Sequence, residues 1–565
     1  MTPNSPFAKL ISFLFFCLLI APAYAQFAFN IGGTGTEEGR SIARDGNNDI
    51  YVTGMFSATT DFDPSSGTTN LVSAGNTDIY VAKYSSAGAY QWAFKIGGSN
   101  LDGGYGIAVD GSSNVYVTGT FRGNNVDFDP GSGTANLSAT GNQDIFVAKY
   151  NSSGVYQWAI KIGSSNADYG YAIAADASGN AYVTGYYQGT ADFDPGSGTA
   201  SLTNAGAQDG FIAKYNSSGA YQWAIKIAGS GIDYGYGISL DGSGNVHVIG
   251  AFDGTVNFNP SGTANLTSAG MRDIFVGKYT SAGSYVWAIH VGGTDNDYGY
   301  GITTDGSSNV FITGYIAMTA DMDPSGGTAN LASGGGADIF FAKYNSSGAY
   351  QFAFKVGSVG NDIANAIALD GAGNILVAGY FQGVVDFDPS SGTANLTNIG
   401  ADDAFIAKYS PAGAYICAFR IGTNSYDTGN GIVADAANNI LVIGSFSGLA
   451  DFDPGASTLN LTASGVDAFI AKYGSACTMI SSINEIDPDI RMTIYPNPSQ
   501  GIFELESEVR IFGLEIVNVL GERIYLSYLD SYRTSIDLRK QPEGTYFLNV
   551  STDEGVARRK IILSK

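Results

Sequence analysis

Polar and apolar positions alternate along this chain in short runs, and the runs repeat. Residues 104–162 show one copy. GYGIAV at 104–109 reads as a first strand. Asp110-Gly111-Ser112-Ser113-Asn114 is a turn of residue types that tolerate tight backbone. VYVTGTF at 115–121 reads as a second strand, rich in β-branched and aromatic residues. IFVAKY at 145–150 is a third, NSSG at 151–154 another turn, and YQWAIKI at 156–162 a fourth. No stretch carries a convincing 3.6-residue period, so helix is predicted to be nearly absent.

Two markers count the copies. Asp-x-Asp-Pro recurs with Pro64, Pro130, Pro195, Pro260, Pro324, Pro389 and Pro454. Ala-Lys-Tyr or Gly-Lys-Tyr recurs with Lys83, Lys149, Lys214, Lys278, Lys343, Lys408 and Lys472. Seven four-stranded copies predict a propeller, whose ring removes long free sheet edges. The chain ends carry a closure signal. QFAFNI at 26–31 matches a fourth strand (QWAFKI at 91–96), whereas the seventh copy stops after its third, Ala468–Tyr473. The expected fold is all-β: a seven-bladed β-propeller over residues 26–476, closed by N-terminal strand exchange, then a small β-sandwich.

The two ends of the chain are different in kind. Residues 1–25 combine Lys9, an apolar run from Leu10 to Ile20 and the small-x-small site Ala23-Tyr24-Ala25, as in a cleavable signal peptide. No other segment approaches 18 continuous apolar residues, so no transmembrane span is expected in the mature chain. Residues 477–492 read as a linker. Residues 493–565 abandon the repeat for alternating strands broken by Pro and Gly, which predicts the sandwich.

Composition narrows the function classes. Hydrophobic residues make up 44% of the chain, enough for a large core. Acids outnumber bases 51 to 27, for a net charge of -24. Residues 26–476 hold 38 of those acids and 16 of the bases. This balance argues against nucleic acid or an anionic membrane as the main partner. Two His and three Cys leave no basis for a His-rich or zinc-ribbon site. His247 and His290 stand where other copies have Tyr, Phe or Lys, and neither has a nucleophile beside it in sequence.

Residues 27–473 resemble the SBBP family of β-propeller repeats, through Gly-Ile-Ala-x-Asp, Gly-Asn-x-Tyr-Val-Thr-Gly and Asp-x-Phe-Val-Ala-Lys-Tyr. That resemblance implies a fold and no shared reaction. The tail reads Thr493-Ile-Tyr-Pro-Asn-Pro-Ser-x-Gly-x-Phe, then Ile516-Val-Asn-Val-Leu-Gly-Glu-Arg-Ile, Ile536-Asp-Leu, Gly544-Thr-Tyr-Phe-Leu-Asn-Val and Lys560-Ile-Ile-Leu-Ser-Lys565. It is similar to the type A C-terminal sorting domain of the type IX secretion system. The resemblance implies a Bacteroidota-like cell, recognition by the secretion machinery and passage through the outer membrane. It further implies removal of the domain and release or attachment to surface lipopolysaccharide.

Candidate site residues follow from propeller geometry, which brings the fourth-to-first and second-to-third loops to one end. The fourth-to-first loops carry Glu37, Asp102, Asp168, Asp233, Asp297, Asp362 and Asp427, expected as a ligand-facing carboxylate ring. Three residues further along, Arg40, Tyr105, Tyr171, Tyr236, Tyr300, Asn365 and Asn430 form an expected collar, suited to stacking and hydrogen bonding with a glycan or protein, or to simple packing between blades. The Asp-x-Asp-Pro carboxylates are Asp61 and Asp63, Asp127 and Asp129, Asp192 and Asp194, Asp321 and Asp323, Asp386 and Asp388, and Asp451 and Asp453. They fit Asx turns or calcium, the one cofactor suggested. Asn257 and Asn259 replace them in the fourth copy and favour turns. Asp78, Asp144, Asp209, Asp273, Asp338, Asp403 and Asp467, before the third strand, read as staples accepting backbone N–H bonds. Cys417 and Cys477 are candidates for a disulfide, although spacing alone does not fix the geometry. A secreted binding or adhesion protein is the expected function, with no catalytic residues. An extracellular carbohydrate lyase or hydrolase at the channel mouth is the alternative.

Overall fold

The structure is a computed structural model that describes residues 25–455, 457–475, 492–518, 523–552 and 555–564. The signal peptide expected over 1–25 and the linker expected over 477–492 lie outside the described residues, but for Ala25 and Met492. Two compact units divide after Thr478. Among the described residues all regular structure is strand, and no helix is long and apolar enough to cross a membrane.

The first compact unit consists of four-stranded antiparallel sheets. Four of these are separate four-stranded sheets, and the same pattern recurs within a six-stranded and an eight-stranded sheet; the recurrences are numbered as units in chain order. Unit 2, for example, is Gly103–Val109, Val115–Phe121, Asp144–Tyr150 and Tyr156–Ile162. The first strands of the others are Glu37–Arg44, Tyr169–Ala175, Tyr234–Leu240, Tyr298–Thr304, Ile363–Leu369 and Thr428–Ala434. Each packs against the first strand of the next unit, and that of unit 7 packs against that of unit 1. A cavity of about 560 Å³ lies at the centre, with Ala43, Ala108, Thr303, Ala368 and Val433 in its wall.

Closure is made as the sequence predicts. Ala25–Gly33 pairs antiparallel with Asn460–Tyr473 of unit 7, Phe29 opposite Ile470 and Ile31 opposite Ala468. The hydrophobic clusters lie between units rather than within them. Phe29, Ile31 and Ile443 of unit 7 share one cluster with Ile42, Val52 and Tyr80 of unit 1. A second strand is therefore covered on both faces, and Val115–Phe121 is buried at all seven positions. This explains why that strand reads as an almost continuous apolar run.

The two markers that count the repeats touch each other. Tyr84, which follows Lys83, donates its hydroxyl to the carbonyl of Phe62, the middle residue of Asp61-Phe62-Asp63, at 2.9 Å. The same bond joins Tyr150 to Phe128 and Tyr344 to Met322. The lysine reaches the first-to-second turn. Lys472 lies 2.9 Å from Asp435 and Lys408 3.0 Å from Asp370.

The long second-to-third loop corrects one expectation. It doubles back along the outer wall instead of staying at the loop-rich end. Thr60 and Asp61 pair with Gly33 and Gly32 of the preceding strand. Asp63, Pro64 and Ser65 share a groove with Ala87–Tyr90, the third-to-fourth turn. The acids are therefore spread over the molecule.

The carboxylate ring also differs from expectation. Asp102 is 1% exposed. It accepts the amides of Gly98 at 2.8 Å and Arg122 at 2.7 Å, tying the fourth-to-first loop to the long loop. Asp168, Asp233, Asp297, Asp362 and Asp427 make the same two amide bonds in their units. Glu37 accepts the Gly33 amide and the Thr60 hydroxyl. These groups are inward staples, because a loop crossing an apolar ring needs acceptors for its amides. The second set behaves as predicted. Asp78, for example, accepts the amide of Ala74, and it pairs with Lys95 at 3.1 Å.

Burial pushes the ring carboxyls up, the hydrogen bonds they accept offset only part, and the buried acid before the third strand of the preceding unit adds to the rise. Glu37, Asp233 and Asp297 are raised to about 7. Asp102, Asp168, Asp362 and Asp427 are raised to about 6. Asp110 of the first-to-second turn goes the other way. Burial opposes its ionisation, but Asn114 and the turn amides outweigh burial and hold it below the usual carboxylate range.

The second compact unit has strands Met492–Tyr495, Ile502–Asn518, Arg523–Asp537, Gly544–Thr552 and Gly555–Leu563. The long strand Ile502–Asn518 pairs with Met492–Tyr495 in its first half and Gly544–Thr552 in its second, with Arg523–Asp537 beside both. Phe503, Leu505, Ile516, Ile536, Leu548 and Ile561 share one core.

Two predictions follow from these contacts. Tyr51, Tyr116 and Tyr182 each donate to the aspartate of their own turn at 3.0–3.1 Å. His247 holds that position in unit 4, buried, with both ring nitrogens unpartnered among the described residues. His247→Tyr should raise stability by about 1 kcal/mol, read by urea unfolding. The second concerns pH. Between about pH 4 and 7 the folded ring carboxyls hold more protons than the unfolded chain, so stability falls as pH rises through that window. Below pH 4 the turn aspartates reverse the trend. Tm should therefore peak near pH 4–5 and be lower by a few degrees at pH 8.

Candidate binding site

Each inner strand carries a β-bulge near its start, where one residue is left unpaired against the second strand. The register breaks between Gly39 and Ser41, Gly104 and Gly106, Gly170 and Ala172, Gly235 and Gly237, Gly299 and Gly301, Ala364 and Ala366, and Gly429 and Gly431. The skipped residues are Arg40, Tyr105, Tyr171, Tyr236, Tyr300, Asn365 and Asn430. All seven collar candidates are thus bulge residues, and a bulge re-aims its side chain. The glycine of Val-Thr-Gly has its reason here. A Cβ on Gly119 would strike the carbonyl of Gly103 across the bulged pair, and the other six units repeat the clash.

The collar residues are half-buried and come together in two arcs. Units 2–5 form an aromatic arc. The rings of Tyr171 and Tyr236 lie 5.2 Å apart and those of Tyr236 and Tyr300 5.0 Å. The sequence reading missed the second tier. Tyr169, Tyr234 and Tyr298 begin the inner strands of units 3–5, and Tyr186 and Tyr315 stack on Tyr169 and Tyr298. The signal was present as Tyr-Gly-Tyr in those three units alone. Residues just before the third strands brace this tier. Tyr169 donates to Gln143 at 2.5 Å, Tyr234 donates to Gln208, and Arg272 donates to the Tyr298 hydroxyl.

Units 6, 7 and 1 form a polar arc. Asn365 donates to Asn430 at 3.3 Å, and Asn430 donates to the Gly39 carbonyl at 2.8 Å. Arg40 pairs with Glu38 and lies 5.8 Å from the centre of the Tyr105 ring. The hydroxyls of Tyr171, Tyr236 and Tyr300 have no protein partner among the described residues and are not sealed from solvent. Burial, followed by the neighbouring phenols, pushes all three well above the ordinary tyrosine value. They remain neutral donors at any physiological pH. The arrangement offers stacking surface on one side and amide and guanidinium groups on the other, with no nucleophile–base pair.

The Asp-x-Asp-Pro carboxylates lie elsewhere and shape the long loop. Asp127 accepts the amides of Asp129 and Ala135, and Asp129 accepts that of Gly131. Asp61 and Asp63, Asp192 and Asp194, Asp321 and Asp323, Asp386 and Asp388, and Asp451 and Asp453 follow the same pattern. Asn257 and Asn259 reproduce it without charge. Among the described residues no three His, Cys, Asp or Glu side chains gather as a metal ion would require. Cys417 is buried and disulfide-bonded; its expected partner, Cys477, lies outside the described residues.

Comparison with known proteins adds the following. Residues 493–564 match the family described as secretion system C-terminal sorting domain, and residues 91–120 and 157–189 match the beta-propeller repeat, SBBP. An uncharacterized WD repeat-containing protein of Acanthamoeba polyphaga mimivirus is 26% identical over 535 residues. The match covers 79% of this chain, which spans 38% of that relative's length. Among solved structures, Sqt1 from Chaetomium thermophilum is 8% identical with a TM-score of 0.35, over 74% of this chain and 96% of that one. PorZ, a surface component of the type-IX secretion system of Porphyromonas gingivalis, is 11% identical with a TM-score of 0.16, over 95% and 100%. The sorting domain implies engagement by secretion machinery and delivery outside the cell or to its outer surface. Two stretches of the chain thus match the beta-propeller repeat, SBBP, and residues 493–564 match a secretion system C-terminal sorting domain.

Proposed function

We propose that this chain is a secreted or cell-surface binding protein, a closed seven-bladed propeller that adheres to its ligand through the bulge collar. The asymmetry of the collar carries this reading. The staples, turns and core positions are nearly the same from unit to unit, as architecture requires. The bulge positions are not, running Arg, four Tyr, then two Asn around one ring. Three of those tyrosines keep free hydroxyls where a packing role would leave them buried or bonded. Aromatic faces beside amides and a guanidinium suit a glycan or an extended peptide. The same reading has the signal peptide cleaved after Ala25 and the sorting domain removed at the surface.

The enzyme reading, a lyase or hydrolase at the channel mouth, needs a singular carboxylate pair. The raised carboxyls recur in every unit and face inward, so they lend it no support. Two outcomes are expected. Deleting residues 493–565 should leave the protein inside the cell, read by fractionation. The double substitution Tyr171→Ala and Tyr236→Ala should leave Tm within a few degrees and weaken retention on the surface glycan or protein that holds the parent chain by at least about tenfold, ~1.4 kcal/mol. Unchanged retention would remove the collar from the function.

A further inference from the structure

We infer that the outer groove between units 2 and 3 is a second binding site, for a neutral oligosaccharide. It goes beyond the collar reading and rests on different residues. The groove has a volume of about 1000 Å³ and is lined from three directions. The end of the unit 2 loop supplies Asn136, the outer strand of unit 2 supplies Lys161, and the long loop of unit 3 supplies Asp192 and Asp194.

Asp192, Asp194 and Lys161 are held by hydrogen bonds to neighbouring loop residues. One oxygen of Asp192 accepts the amides of Asp194 and Ala200, both at or below 3.0 Å; the other has no partner among the described residues. The Lys161 amine donates to the Ser138 carbonyl at 2.9 Å and to the Thr140 hydroxyl, with Asp144 3.6 Å away, so it offers the cleft its apolar stem and a local positive charge. The Asn136 amide is exposed and makes no hydrogen bond among the described residues. The two carboxylates and the amine thus sit in one cleft with their orientation already fixed, which lowers the ordering cost of binding, while the Asn136 amide keeps its hydrogen-bonding groups for a ligand.

The chemistry selects among ligands. Asp144 already offsets the charge of Lys161, which leaves Asp192 and Asp194 to repel an anionic polymer. Two carboxylates are too few for a calcium cage of six to eight oxygens. A peptide would seek a free strand edge or an apolar anchor pocket. At the groove the edge is capped where Gly163, just past the outer strand, bridges to Asp192. The apolar lining is limited to flat pieces such as Leu137, Ile160 and Pro195. A neutral chain of hexoses meets the remaining requirements: many hydroxyls, no charge and a partly apolar ring face.

The test uses the full secreted chain with three uncharged hexasaccharides, of β-1,3-glucose, α-1,4-glucose and β-1,4-mannose, followed by titration calorimetry. Ser165 lines the groove and is exposed, so Ser165→Trp fills it without touching the core. Asp192→Asn keeps the loop bonds, as Asn257 does in unit 4, and removes the charge. At least one hexasaccharide should bind the parent chain, weaken at least tenfold with Ser165→Trp, weaken measurably with Asp192→Asn, and be unaffected by Tyr236→Ala. Binding that survives Ser165→Trp overturns the inference. Binding lost only with Tyr236→Ala overturns it too while supporting the collar. If none of the three binds, the groove assignment fails and the collar reading stands untouched.

Discussion

The structure depends on the fact that each sheet must bury both of its faces and can do so only against its neighbours. The hydrophobic clusters lie between units, so every unit supplies half of two cores. A linear array would leave two apolar faces open to water. The ring leaves none, provided its ends meet, and residues 25–33 make them meet by lending unit 7 its missing strand. Ile31 and Phe29 are buried in the cluster shared with unit 1, so pairing and packing are completed by the same nine residues.

That constraint explains the repeated polar residues. Loops that cross the top of a tightly packed ring carry amides that cannot all reach water. One acid per unit accepts two of them, and a second acid fixes the start of the third strand. Burial of the ring acid in each unit stores charge that the fold tolerates better when protonated. The lysine and tyrosine of Ala-Lys-Tyr hold the other end, the lysine on the first-to-second turn and the tyrosine on the middle of Asp-x-Asp. Nineteen of the 51 acids are therefore internal scaffolding, and they say little about what the surface attracts.

The bulges leave positions the scaffold does not need. A bulge removes one residue per inner strand from the ladder, and removal from the ladder frees its side chain for use. Seven such residues meet around one opening, with freedom to differ, and they do differ. The long loops, doubled back along the outer wall, line the grooves between units, where one oxygen of Asp192 holds the loop and the other has no partner among the described residues.

Much of this was written in the chain. Spacing of Asp-x-Asp-Pro and Ala-Lys-Tyr counts the units, because a local turn and a local strand are set by local residues. The QFAFNI strand at the N-terminus announces the closure, because strand identity survives displacement along the chain. The membership of the collar was legible too, since equivalent positions in a repeat must take equivalent places. What the sequence did not decide is the direction each carboxylate faces. Glu37 and Asp102 look like a surface ring in one dimension and are buried staples in three, because their partners Gly33, Thr60, Gly98 and Arg122 come from loops brought together by packing. The route of the long loop and the second tier of tyrosines braced by Gln143, Gln208 and Arg272 were decided likewise. Each depends on contacts between neighbouring units, and only the closed ring sets those distances.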